Sequence, residues 1–323
     1  MPVRTPAVAG QFYPRSYEEC RAAIEECLAR AEASPPAGLP AGFKPIAGIA
    51  PHAGWICSGA VAGEVIRVLA LGGTSPGRPS ESGVETFVIF GAAHRRMASP
   101  AAVYDQGSWE TPLGQAVIDE ELARNVMEAA PTVPADIDVH EMEHSIEVEV
   151  PFVRYLAPGA KILPIMVSPV MMAVEVGRTV AQAAAKLGRR VVFLGSTDLT
   201  HYGPRYQFAP QGVGPEGIRW AKEVNDRQFL GRVLNLQADE VVHEAATHHN
   251  ACGPGAVAAT IAAAQVMGAT AAHVLRHTNS NEVLCTRYGQ MDDAVGYAGV
   301  VLGSASNGNE KLMPGRAVTV QET

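Results

Sequence analysis

No block of lysine or arginine occurs in this chain, and its formal net charge of −8 is spread over 323 residues. It therefore offers no electrostatic footprint for a phosphate backbone or an anionic lipid surface, and neither nucleic acid nor membrane is an expected partner. The opening MPVRTPAVAGQFYP has no continuous apolar stretch of the kind a secretory signal needs. Nowhere does the sequence reach the roughly 18 uninterrupted apolar residues of a membrane span, so a cytoplasmic protein is expected. Cysteine is scarce and odd in number, five in all. Cys20 and Cys27 stand seven positions apart in a helical pattern, about 10 Å along the axis and beyond disulfide reach. Reduced thiols follow. No repeat of fixed period is present, which excludes solenoid and propeller architectures.

What is present describes a turn-rich globular protein: 47% hydrophobic and 18% charged residues, with 32 glycines and 23 prolines. The capping box Ser16 to Glu19 predicts a helix start. Cys20, Ala23, Ile24, Cys27 and Leu28 then form its buried stripe, so both cysteines read as small core residues. Cys57 and Cys285 are expected to be structural too. The apolar runs PIAGIAP, TFVIFGAAH, KILPIMVSP and RRVVFLGSTD suit strands buried on both faces of a sheet. Between them AVAGEVIRVLAL, DEELARNVMEAA and VEVGRTVAQAAAKLG carry helical spacing. This order predicts an α/β fold, a three-layer α/β/α sandwich around a mostly parallel sheet. After Tyr202 the pattern turns helical, until AAHVLRH and AVGYAGVVLG return as strands that complete the same sheet. EASPPAGLPAGFKP and GGTSPGRPSESG separate no self-contained hydrophobic patterns. Residues 1–303 are thus expected to form one domain and 304–323 a loose polar tail.

In open α/β sheets ligands gather beyond the carboxyl ends of the strands. His52 ends the first run, His94 follows TFVIFGAA, and Asp198 and His201 follow VVFLGS. Cys252 stands just before a helix that Pro254 starts well, where free N–H groups and the helix dipole make a thiolate plausible, the alternative being a buried cap cysteine with no chemistry. Two histidines, a thiolate and spare His and Asp read as a metal site, although a Cys/His/Asp triad stays open. Imidazole and thiolate together suit Fe, Cu or Zn. Two competing motifs fail on context. HEMEH, His140 to His144, imitates a zinc-protease helix, but PTVPADIDV before it is a poor helix, and SIEVEVPF after it alternates like a strand or at best begins a helix with Pro151 in an early turn. GPGAVA imitates a dinucleotide fingerprint but lacks the preceding strand and the acidic residue beyond, and reads as a close-packed helix start.

AGQFYP, IAPHAG, GAAH, ETPLG, EHSIEVEVPF, STDLTHYG, ACG and GYAG, in that order from about Ala9 to Leu302, resemble the Memo family, whose prokaryotic members are called AmmeMemoRadiSam system protein B. The resemblance implies a fold shared with LigB-type class III extradiol dioxygenases, non-haem iron enzymes that open catechol rings. It puts His52, His94 and Cys252 on the family's metal ligands and His201 on its catalytic histidine, with Asp198 and His144 at further pocket positions. Where the ring-cleaving enzymes use a carboxylate ligand, this chain offers Cys252, a softer donor that shifts metal choice and potential. Arg95 and Arg96 are expected to sit in solvent. Three functions follow as expectations. The first is an Fe(II) or copper redox enzyme on a small, aromatic substrate, with His201 as acid or base and Asp198 orienting it. The others are a metal-binding or adaptor module working with AMMECR-like and radical-SAM proteins, and a zinc hydrolase.

Overall fold

The computed structural model describes residues 2–33, 38–72 and 83–304. A short strand β1 (Val3–Arg4) leads to helix α1 (Tyr17–Ala33), strand β2 (Lys44–Ala50), helix α2 (Trp55–Leu71), strand β3 (Thr86–Ala92) and strand β4 (Ala101–Val103). The hairpin β5 (Ser108–Thr111) and β6 (Gly114–Val117) precedes α3 (Glu120–Ala129), the single turn α4 (Asp138–Glu141), α5 (Val150–Leu156), β7 (Lys161–Val167), α6 (Ala173–Ala185) and β8 (Val191–Ser196). Then come β9 (His201–Tyr202), α7 (Pro215–Trp220), a π-helical turn (Ala221–Asp226), α8 (Arg227–Leu234), α9 (Val241–His248), α10 (Pro254–Val266), β10 (Ala271–Asn279), α11 (Ser280–Tyr288) and β11 (Ala294–Ser304).

The four apolar runs form the centre of an eight-stranded sheet ordered β10-β11-β2-β8-β3-β7-β4, with β9 paired to β11. Strands β2, β8, β3 and β7 are mutually parallel, β4 and β11 run antiparallel to them on either side, and β10 pairs antiparallel with β11. The late strands join the same sheet, as expected. Alternate side chains of each strand enter opposite cores. Val88, Phe90 and Phe193 pack with α6 and α10, whereas Phe87, Ile89 and Leu194 pack with α1, α2 and α5. The sandwich therefore has two cores, and each fully buried Phe, Ile or Leu contributes about 1.5–3 kcal/mol to it. Helices α6 and α10 approach closely because Gly177 has no side chain; a Cβ there would strike the Ala259 carbonyl.

Helix α1 begins as its capping box predicts, with the Glu19 N–H donating to Ser16 Oγ at 3.4 Å and the Ser16 hydroxyl donating to the Glu19 carboxylate at 2.7 Å. Cys20 and Cys27 are buried on its inner face, Cys57 is half-buried, and Cys285 is exposed on α11. The expectation of a structural Cys285 is thus corrected: its helix turns that position to solvent. HEMEH forms no long helix, since α4 ends at Glu141. His140 is buried with Nε2 3.2 Å from the Ala102 carbonyl. SIEVEVPF takes its helical option: a 3₁₀ turn (Glu147–Glu149) runs into α5, with Pro151 in the first turn. Ser304, the first residue of the expected tail, ends β11; residues 305–323 lie outside the described residues. Among the described residues no helix is long and apolar enough to cross a membrane.

Candidate metal centre

Strand register decides what meets at the rim. Ala50 lies opposite Ser196 and Phe90 opposite Gly195, so the ends of β2, β8 and β3 come out nearly level. The loops that follow carry His52, Thr197 to His201, and His94. A fourth loop, between α4 and α5, adds His144. One ligand nitrogen from each of His52, His94 and His144 lies within 4.8 Å of the others. The rings of His94 and His144 stack at 4.8 Å, and His52 stands edge-on to both, at 5.1 and 5.5 Å.

The hydrogen bonds fix which nitrogen each ring offers. Ser196 donates its hydroxyl proton to the Ser145 carbonyl at 2.6 Å, so its oxygen accepts from His52 Nδ1 at 2.7 Å. His94 Nδ1 donates to the Glu143 carboxylate at 2.9 Å. Both rings therefore carry a proton on Nδ1 and leave Nε2 as the atom available to a metal, as oriented metal-ligating histidines do. On His52 that atom faces the Cys252 sulfur, and on His94 desolvation is outweighed by the bond and charge of Glu143, which raise its pKa. Glu143 also accepts the backbone N–H groups of His144 and Ser145, at 2.8 and 2.9 Å. Desolvation works against its ionisation, but the bonds from His94 and Ser145 prevail and hold its carboxyl down at about 2. Burial, reinforced by His94 and His144, pushes the His52 imidazole well below its ordinary range and keeps it neutral.

Cys252 Sγ lies 3.3 Å from His52 Nε2 and accepts the Asp198 N–H at 3.2 Å. Its loop is drawn in tightly: the Cys252 N–H returns to the Asp198 carbonyl at 3.2 Å, and a Cβ on Gly253 would strike the Ser196 carbonyl. The expected thiolate is corrected. Burial and the Asp198 charge raise the Cys252 thiol well above its ordinary range, outweighing the backbone donors at the helix start. A cation beside it would be needed to release that proton.

Asp198 is fixed differently from expectation. Its Oδ1 accepts the His52 N–H at 2.8 Å, and burial pushes its carboxyl up to about 7. The Leu199 carbonyl, not Asp198, accepts His201 Nδ1, at 3.0 Å. His201 thus also presents Nε2 as a lone pair; burial lowers its pKa, and charge coupling links it to His94. Arg95 and Arg96 are exposed, as expected, and line a cavity of about 310 Å³ shared with Glu143. Sequence reasoning missed Glu143 and Ser196. Both lay inside motifs already quoted, Glu143 in HEMEH and at the start of EHSIEVEVPF, Ser196 at the start of STDLTHYG, but neither was given a role.

The model of the family described as Memo-like protein matches residues 4–301, which include every residue of this cluster. The chain belongs to the Memo family. Relatives named MEMO1 family protein include one from Pyrococcus abyssi, 37% identical over 93% of this chain and 99% of the relative. One from Pyrococcus furiosus is 35% identical over 94% and 100%, and one from Methanopyrus kandleri 36% over 92% and 98%. Among solved structures, an uncharacterized protein of Escherichia coli K12 is similar over 80% of this chain and all of that one, at a TM-score of 0.48 and 13% identity. Against this Memo-family background the cluster has a clear chemical character: three imidazoles that could hold a metal ion, with a sulfur against one of them.

Proposed function

We propose that this Memo-family protein is a metal-dependent redox enzyme, related in fold to the extradiol dioxygenases, that holds Fe(II) and acts on a small aromatic substrate. The observation that carries the reading is the placement of two imidazoles whose Nδ1 protons are committed to Ser196 and Glu143, with the Cys252 sulfur 3.3 Å from His52 Nε2. Such mixed nitrogen and sulfur donors suit Fe, Cu or Zn and poorly suit Mg or Ca. His52, His94 and Cys252 are the proposed ligands, with His144 a pocket residue near enough to join or replace Cys252. Bound there, Fe(II) supplies open positions at which substrate and dioxygen meet and exchange electrons.

The chain's own residues do the rest. Glu143 locks the His94 ring, Ser196 locks His52, and Asp198 anchors the backbone at His52. His201, held by Leu199, keeps a lone pair for a substrate proton, which makes it the general base. The reading takes residues 1–303 as one domain, supported by the pairing of β11 with β2 across the length of the chain.

The test is protein purified without oxygen. Iron should co-purify or load stoichiometrically, and catechols or aminophenols should then drive dioxygen uptake. No uptake with any of them removes the oxygenase function. His201→Ala should keep the metal and lose about 10²-fold or more in rate. An unchanged phenotype in that variant would leave a metal carrier or adaptor, and tightly held zinc, silent to air, would leave a hydrolase.

A further inference from the structure

The π-helical turn between α7 and α8 lies behind the site, and the reading above gives it no task. Turns bonded i to i+5 are rare and are frequently found at functional sites. This one ends in Asn225 and Asp226, both 1% exposed, and these two successive side chains close on one residue, Thr200. Asn225 Nδ2 donates to Thr200 Oγ1 at 3.1 Å, while Asp226 Oδ1 accepts the Thr200 N–H at 3.0 Å. Thr200 directly precedes His201, and its neighbour Leu199 supplies the carbonyl that fixes the His201 ring.

The same pair reaches the other side of the site. Asn225 Nδ2 also donates to the His248 carbonyl at 3.0 Å, and the Asn225 carbonyl accepts from Asn250 Nδ2 at 3.0 Å. Asn250 is fully buried and stands two residues before Cys252. Asp226 Oδ2 is held in turn by His277 Nε2 at 3.0 Å, and a Cβ on Gly296 of β11 would collide with that carboxylate. Three separate elements, the His201 strand, the Cys252 loop and the β10–β11 pair, are thereby bonded to two adjacent residues of one turn.

We propose that Asn225 and Asp226 are positioning residues that set the His201 strand and the Cys252 loop relative to each other across the site. They touch no reacting atom. Their side chains act through Thr200 and the His248 carbonyl, and the effect deepens the reading given under Proposed function, since it concerns the same His201 and Cys252.

The experiment uses metal-free full-length protein, with two local readouts. Long-range ¹H–¹⁵N spectra report the His201 ring tautomer, and alkylation followed by peptide mass spectrometry reports the rate at Cys252, with Cys57 as internal reference. Wild type should show the Nδ1–H tautomer of His201 alone. Asn225→Ala and Asp226→Ala each remove two buried hydrogen bonds and should mix the tautomers and speed Cys252 alkylation about tenfold or more through easier local opening, while Cys57 keeps its rate. Asp226→Asn retains an oxygen for the Thr200 N–H and should restore the wild-type spectrum. Thr200→Val and Gly296→Ala perturb the same contacts from the other side and carry the same expectation, so they replace either alanine variant that does not fold. Folded variants with an unchanged His201 spectrum and an unchanged Cys252 rate overturn the inference. Wild type that takes up no metal, yet responds in this way, overturns the metal reading and leaves the positioning role standing.

Discussion

Glu149 is fully buried, and among the described residues neither oxygen of its carboxylate meets a hydrogen-bond partner. Burial, with the charge of Asp198 added, raises its pKa well above the ordinary carboxylate value, so the folded protein keeps a proton that the unfolded chain gives up. The native state then binds more protons than the unfolded one above the unfolded pKa, and stability falls as pH rises through that window. Glu149→Gln removes the titration while preserving shape. It should be more stable than wild type, by a margin that is small near pH 4 and grows toward pH 8; equal denaturant midpoints at both pH values would show a carboxylate satisfied some other way. A second residue-scale prediction separates the two soft-site alternatives. His52→Ala should abolish metal uptake, since its Nε2 is the atom that Cys252 faces. Cys252→Ala should retain some nitrogen-bound metal but lose any sulfur-to-metal absorption. Metal content and visible spectra of the two variants check this directly.

At the scale of elements, the loop carrying His144 owes its place to β1. Arg4 donates Nε to the His140 carbonyl at 2.7 Å, Nη2 to the Glu143 carbonyl at 2.8 Å and Nη1 to the Glu147 carboxylate at 2.8 Å, with its guanidinium 4.2 Å above the Trp109 ring. Arg4 and Glu147 are both nearly inaccessible to solvent. Removing one partner of such a pair costs about 3–5 kcal/mol. Glu147 keeps the Ala7 and Val8 N–H groups and the Tyr13 hydroxyl, so Arg4→Met should fall near the lower end, and Arg4→Lys should recover little because lysine lacks the planar fork. Denaturant unfolding measures it, and a loss under about 1 kcal/mol would mean that β1 is a passenger. This contact also explains why His144 entered the site only through the family resemblance and not through strand order. His52 and His94 follow apolar runs whose strand character is local, so their convergence could be read by counting strands. His144 follows no strand. Its position depends on an arginine more than 130 residues away, and no periodic pattern encodes such a contact. Glu143 was hidden for the same reason, and Cys252 was misjudged as a thiolate because helix-start propensity is local whereas desolvation belongs to the assembled core.

For the whole molecule, the consequence is that the cluster joins loops leaving three strands of the sheet, β2, β3 and β8, to a fourth loop between α4 and α5. The three-layer frame was readable because each strand of its parallel centre is a continuous apolar run, buried on both faces. The site is not independent of that frame, since Ser196, which orients His52, is itself the last residue of β8. A cation held by His52 after β2, His94 after β3 and Cys252 before α10, with His144 close by, binds the native state and lacks a preformed site in the unfolded chain. Its affinity must therefore appear as global stability, about 2.7 kcal/mol at a free concentration 100 times Kd. For a chain of this size that corresponds to a Tm rise of about 4 °C. Titrating metal-free protein with Fe(II) under nitrogen, and separately with Zn(II), should raise Tm along a saturating curve. His52→Ala and His94→Ala should flatten that curve, whereas a surface change such as Arg96→Ala should leave it intact. If the rise persisted undiminished in the double variant His52→Ala/His94→Ala, the cation would be binding elsewhere, and the functional reading built on these rings would fall with it.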